Sequence, residues 1–276
     1  MTREQLRILQ KLQLKIALEV KRICEKHEIR YFLDCGSMLG AVRHNGFIPW
    51  DDDMDIGFLR EDYNKFLSVA RNELGKEFCL LTWECPEYPF PYAKVCLQET
   101  VYKERIAGNC ISTHDNIFID IFPYDNISDD RSIRFLNGVC RKIISHMLMI
   151  KCCYRVWVRD GIGKKVKFIP LMLLSRFFSK KYLKSVFMKL ACRYNDIETY
   201  EVGIEDVILS CNYKRKDLLS FVEVKFEDEL FVIPQEYDAI LKIAYGDYME
   251  LPPEEKRWIG HDIVKIDFGP YEREQI

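Results

Sequence analysis

The stretch GFIPWDDDMDIGF, residues 46–58, sets four carboxylates into five consecutive positions: Asp51, Asp52, Asp53 and Asp55. Phe47, Ile48 and Trp50 precede them, and Met54, Ile56 and Phe58 are interleaved or follow. Like charges this close repel, and each is costly to remove from water. Strand periodicity resolves the conflict, because successive side chains point to opposite faces. A strand over 53–58 sends Met54, Ile56 and Phe58 to a core and leaves Asp53 and Asp55 together on the other face. Asp52 falls on the apolar side and is expected to cap or orient the start of the strand, with Asp51 beside it. Two carboxylates ~6–7 Å apart along a strand suit a shared divalent cation, which removes their repulsion. A bare acidic run is as readily a solvated loop. An EF-hand reading fails, since Ile56 stands where glycine is needed and Asp62 where the bidentate glutamate belongs.

A third acid has the same apolar flanks: Asp120, in NIFIDIFPYD. Three carboxylates on adjacent strands can hold one or two Mg²⁺ for phosphoryl or nucleotidyl transfer. Upstream, Tyr31-Phe32-Leu33 reads as a short strand running into Gly36-Ser37, whose backbone N–H groups and hydroxyl suit phosphate oxygens. Arg43 and His44 lie between that turn and the acidic strand, where a phosphate contact and a plain surface role are both open. Lys94, alone on a strand in PYAKVCL, meets either a phosphate or a salt bridge. His261, in WIGHD, is a possible positioning group, although a lone histidine is more often structural.

Around these motifs the chain reads as short strands mixed with helices, an α+β or α/β-like pattern rather than a bundle. Leu9, Leu12, Ile16, Val20 and Ile23 recur at helical spacing in the first ~25 residues. Residues 60–74 read as a second amphipathic helix, with a short helical turn expected over 38–43. Strands are expected at 78–83, 92–97, 117–122 and 231–233. No P-loop, dinucleotide fingerprint or serine-hydrolase elbow occurs.

With 276 residues, 48% hydrophobic and 30% charged, the composition is that of a globular chain. The net charge of -2 conceals a segregation: residues 131–193 hold sixteen Lys or Arg against one acid, Asp160. The rest of the chain is correspondingly acidic. Eleven cysteines without a CxxC pair exclude a zinc ribbon and argue against an oxidising compartment. The N-terminal segment lacks a signal-peptide pattern, and no apolar run is long enough to span a bilayer. A cytoplasmic location is expected. Residues 131–193 read as helical, divided at Gly161-Ile162-Gly163, with Trp157, Phe168, Leu171, Phe177 and Phe178 among the basic residues. Such a segment is able to lie on an anionic membrane, or simply to pack on the acidic remainder. No nucleic-acid-binding motif accompanies it.

The order Cys35-Gly36-Ser37, Asp53-Met54-Asp55-Ile56, Ile119-Asp120-Ile121 resembles the nucleotidyltransferase superfamily. More specifically, LDCGSMLGAVRHNGFIPWDDDMDIGFLREDYNKF, residues 33–66, resembles the LicD family, which includes the fukutin-related proteins. Supporting likeness lies at FIDIFPYD and at YGDYMELPPEEKRWIGHD. Cys35 departs from the small or apolar residue expected there. The resemblance implies a nucleotidyltransferase-type mixed sheet over 1–130, an inserted basic helical region over 131–194, and a C-terminal segment, 195–276, packing back on the core. It further implies Mg²⁺-dependent transfer of phosphocholine from CDP-choline to a sugar of a teichoic acid or lipopolysaccharide precursor on a lipid carrier. In that reading Asp53, Asp55 and Asp120 bind metal, and Gly36, Ser37, Arg43 and Lys94 meet the donor phosphates. Asp51, Asp52, His44 and His261 stand behind them. The alternatives are a nucleotidyltransferase acting on a small alcohol and an inactive metal-binding scaffold.

Overall fold

The structure is a computed structural model that describes residues 1–107, 115–155, 162–205, 210–257 and 260–273. In chain order the elements are α1 (Arg3–Lys26), β1 (Phe32–Leu33), α2 (Cys35–His44), β2 (Asp55–Leu59), α3 (Arg60–Glu73), β3 (Phe78–Leu81), β4 (Ala93–Leu97), β5 (Val101–Glu104) and β6 (Ile117–Asn126). Then come α4 (Arg131–Lys151), α5 (Ile162–Ser175), α6 (Lys180–Ala191), β7 (Glu201–Glu205), β8 (Ser210–Lys214), β9 (Phe221–Phe226), β10 (Glu229–Pro234), α7 (Tyr237–Tyr245) and β11 (Ile263–Asp267). The fold is mixed α+β, as the pattern of short strands and helices predicts.

The main sheet runs β1-β2-β6-β4-β3, with β7 and β8 added along the far end of β6. β2 and β6 are parallel, whereas β4 is antiparallel to β6. β6 is the spine, buried along all ten residues. Its Pro123, which has no N–H to donate, sits two residues past the last β4 partner, Ile121, where one side needs no ladder bond.

α1 starts with a capping box between Thr2 and Gln5. It lays Leu9, Leu12, Ile16, Val20 and Ile23 into the core at 0% exposure. Helix α3 adds Tyr63, Phe66 and Ala70. The apolar set from the acidic stretch, Met54, Ile56 and Phe58, is likewise fully buried. Gly57 lies between them because a Cβ there would fall 2.4 Å from the Phe32 ring on β1.

The basic region differs in detail from the sequence reading. Among its described residues it forms three helices, with a break over 176–179 that no glycine or proline marks. Gly161 and Trp157 lie outside the described residues. α4 and α6 share a small core of Ile144, Met147, Leu148, Leu183 and Phe187, separate from the main one. Among the described residues, no helix is long and apolar enough to cross a membrane.

Candidate active site

The chain enters the site at Asp34, which caps α2 by accepting from Cys35 N–H at 2.8 Å. Cys35 then turns through φ 43°, a left-handed value that costs a non-glycine residue strain. The helix expected over 38–43 therefore begins three residues early, with Gly36 and Ser37 in its first turn. The Ser37 hydroxyl accepts from Asp55 N–H at 2.9 Å and so fixes α2 against the head of β2. Gly36 is pressed close to the acids, since a Cβ there would stand 2.8 Å from Asp51 Oδ2.

The strand itself starts at Asp55 rather than Asp53. Upstream of that point two side chains of α1 hold the backbone: Gln10 donates to Asp51 O at 2.9 Å and Gln13 to Asp52 O at 2.8 Å. These glutamines take the place of a neighbouring strand, for β1 is only two residues long. Asp51, Asp52 and Asp53 are thereby gathered so that each offers an oxygen within 4.8 Å of the others. Asp52 is 1% exposed, whereas Asp53 keeps 29% of its side chain open.

The parallel register places Asp55 opposite Asp120, and the antiparallel register places Lys94 on the other side of Asp120. Lys94 Nζ stands 3.0 Å from Asp120 Oδ1 as a buried ion pair. Of the two roles left open for Lys94, the salt bridge is the one formed here. Gly260 N–H donates to Asp52 Oδ1 at 3.0 Å, the Tyr102 hydroxyl to Oδ2 at 2.8 Å, and His261 Nδ1 lies 3.2 Å from Oδ1. His261 is also 4.0 Å from Asp53. All three partners of Asp52 come from the antiparallel pair β5–β11 and the turn before β11. Asp52, upstream of β2, thus gathers the far end of the chain through its carboxylate. Trp258 and Ile259, the start of the WIGHD motif, lie outside the described residues.

Arg43 and His44 end α2. Arg43 donates to Tyr248 O at 2.7 Å and to His44 Nε2 at 3.0 Å, tying the helix to the C-terminal segment. The His44 ring stands edge-on to Trp50 at 6.2 Å.

Electrostatically the site is short of positive charge. Burial, with Asp53 next, pushes Asp51 well above the usual carboxylate range. Burial raises Asp55 in the same way, helped by Asp53, Asp120 and Asp34. Asp53 and Asp120 are also raised by burial, against the pull of His261 and Lys94 respectively. Asp34, buried under Tyr124, is pushed up to about 6. Burial works against the charge of His261, but its bond to Asp52 and the nearness of Asp53 and Glu104 carry it to about 10. Lys94 and His261 are thus outnumbered by the carboxylates around them. The donor set is all oxygen and closely grouped, which fits a hard divalent cation.

Sequence reasoning missed Gln10, Gln13, Asp34 and Tyr102. The two glutamines had a signal: they interrupt the apolar stripe of α1 three residues apart. Asp34 and Tyr102 had none.

Residues 28–136 match the domain described as LicD/FKTN/FKRP, nucleotidyltransferase domain. Over 245 residues the chain is 31% identical to the lipopolysaccharide cholinephosphotransferase LicD of Haemophilus influenzae, covering 84% of this chain and 87% of that protein. The human and mouse ribitol 5-phosphate transferase FKRP are each 50% identical over 53 residues, 19% of this chain and 11% of theirs. Fold, acidic cluster and likeness together define an enzyme of the phosphotransferase class. Within that class, the chain belongs to the LicD family.

Proposed function

We propose that this enzyme transfers phosphocholine from CDP-choline to a sugar hydroxyl of a lipopolysaccharide or teichoic acid precursor, releasing CMP. The observation that carries the reading is the register that sets Asp55 against Asp120, with Lys94 beside them and Asp53 at the open edge. The likeness to the Haemophilus protein over most of both chains supports choline as the alcohol and a glycan as the acceptor. A precursor of that kind is met on its lipid carrier, at the cytoplasmic face of the membrane.

Asp53, Asp55 and Asp120 are the residues that would hold Mg²⁺, with Asp51 and Asp52 adjoining. Held there, such an ion would supply charge neutralisation for the phosphoryl group being transferred. The Ser37 hydroxyl, which accepts from Asp55 N–H, keeps its own proton for a donor phosphate oxygen. The first-turn N–H groups at Gly36 and Ser37 present the positive end of α2 to the same phosphate. Arg43 offsets the remaining anionic charge, and Lys94 acts through its ion pair with Asp120. Asp120 takes the proton of the acceptor hydroxyl as the hydroxyl oxygen bonds to phosphorus and the bond to the CMP oxygen breaks.

The match to FKRP, confined to 53 residues, favours a second reading in which the donor carries ribitol phosphate. Product analysis with CDP-choline, CDP-ribitol, CDP-ethanolamine and CTP separates these. CMP release with choline phosphate on the acceptor is expected. Diphosphate release from CTP, with the nucleotide left on an alcohol, would refute the reading in favour of nucleotidyl transfer.

A further inference from the structure

The helices between β6 and β7 carry an apolar face that neither the core nor the candidate site uses. On α4, Phe135, Leu136, Val139 and Ile143 recur at helical spacing and are exposed, Phe135 at 70%. On α5 and the turn after it, Val166, Ile169, Leu173, Leu174 and Phe177 do the same, Phe177 at 84%. These stripes are additional to the inward face of α4, whose Ile144, Met147 and Leu148 fill the small core with α6. The two helices pack together, His146 against Phe168 at 5.5 Å and Lys151 Nζ donating to Ser175 O at 3.1 Å. Exposed stripes of large apolar side chains on two helices packed together mark an interaction surface.

The charge around the stripes identifies what covers them. No acidic side chain occurs among the described residues of 131–193. Some of the cations serve the fold: Arg134 pairs with Glu201, Lys180 with Glu87, and Lys184 donates to three backbone carbonyls. Arg131 and Lys142 on α4, Lys167 on α5, Arg176 after it and Lys181 at the start of α6 remain exposed. A second copy of the chain would set these like charges against each other. A polyanion alone would leave the apolar residues in water.

We propose that α4 and α5 lie in the headgroup plane of an anionic phospholipid bilayer. Phe135, Leu136, Leu173 and Phe177 enter the acyl boundary, and Arg131, Lys142, Lys167, Arg176 and Lys181 meet lipid phosphates. The inference does not depend on which alcohol phosphate the site transfers, so failure of the choline reading leaves it standing.

Flotation of the full chain with vesicles tests it. Binding is expected to phosphatidylglycerol-rich vesicles at low salt, and to be roughly tenfold or more weaker on pure phosphatidylcholine, in high salt, or for Lys167→Glu with Arg176→Glu. Phe135→Asp with Phe177→Asp is expected to abolish flotation with an unchanged melting temperature, because both rings are exposed. Should that variant fold poorly, Phe177→Trp decides: brominated phosphatidylglycerol is expected to quench its added fluorescence. The proposal is overturned by no flotation at low salt, by an unquenched indole signal in the Phe177→Trp variant, or by well-folded apolar variants that float like the parent chain. A dimer that Phe135→Asp dissociates, with no vesicle binding, overturns it as well.

Discussion

At the scale of single residues, the site is a balance of buried carboxylates that lacks enough cations. Asp53→Asn is expected to abolish turnover, with a loss of at least about a thousandfold. Its melting temperature in EDTA should be unchanged or higher, because one repelling charge is gone. At Asp120 the choice of substitution matters. Asp120→Asn keeps a polar partner for Lys94, whereas Asp120→Ala strands a buried ammonium and is expected to cost about 3–5 kcal/mol in urea unfolding. The pH dependence follows from the raised carboxylates. Asp34, Asp51, Asp53, Asp55 and Asp120 hold protons more tightly folded than unfolded. Their contribution to stability is therefore present below the ordinary carboxylate range near pH 4 and is lost as pH rises through the folded values, for Asp34 about 6. A divalent cation held by Asp53, Asp55 and Asp120 would take the place of the protons on those three carboxylates. Added Mg²⁺ is expected to raise the melting temperature more at pH 8 than at pH 5.5, and not at all in Asp53→Asn with Asp55→Asn. Equal shifts at both pH values would refute a carboxylate site.

Between elements, one ion pair joins the sheet to the helices that flank it. Arg60, opening α3, makes two bonds to Asp125 near the end of β6, at 2.7 and 2.6 Å. Asp125 also accepts from Asn195 Nδ2 at 2.7 Å, which brings in the chain beyond α6. Both side chains of the pair are nearly buried, 12% and 6% exposed. Asp125→Ala leaves the guanidinium charged and without its partner, and is expected to destabilise by about 3–5 kcal/mol. Chemical denaturation checks this, and a change under about 1 kcal/mol would show that the pair is not structural. The element boundaries were legible wherever periodicity was strong: α1 and α3 fall where the pattern put them, and β3, β4 and β10 within two residues, whereas β6 runs on to Asn126. They were not legible where a tertiary partner sets them. Ahead of β2, glutamines from α1 hold the carbonyls of Asp51 and Asp52, and only from Met54 O onward does β6 take over as partner. The break between α5 and α6 carries one local signal that the reading passed over: Ser179 caps α6 by accepting from Tyr182 N–H at 3.1 Å.

Across the whole molecule, the acidic site is completed by chain from its far end. β11 pairs with β5 and so brings Gly260 and His261 to Asp52, 208 and 209 residues away in sequence. His261→Ala is expected to weaken Mg²⁺ binding about 10–100-fold by releasing Asp52, with only a small change in melting temperature. Calorimetric titration of Mg²⁺ measures the first and a thermal scan the second; unchanged affinity would make His261 a bystander. The sequence by itself determined the α+β pattern and the core face of Met54, Ile56 and Phe58, and it marked the acidic run as the place to look for a site. Those are consequences of strand alternation and of the cost of burying charge, which act within a few residues. Only the tertiary structure decided that Asp55 faces Asp120, that Lys94 pairs with the latter, and that His261 belongs beside GFIPWDDDMDIGF. Register and long-range pairing depend on how whole elements dock, and no local preference encodes them.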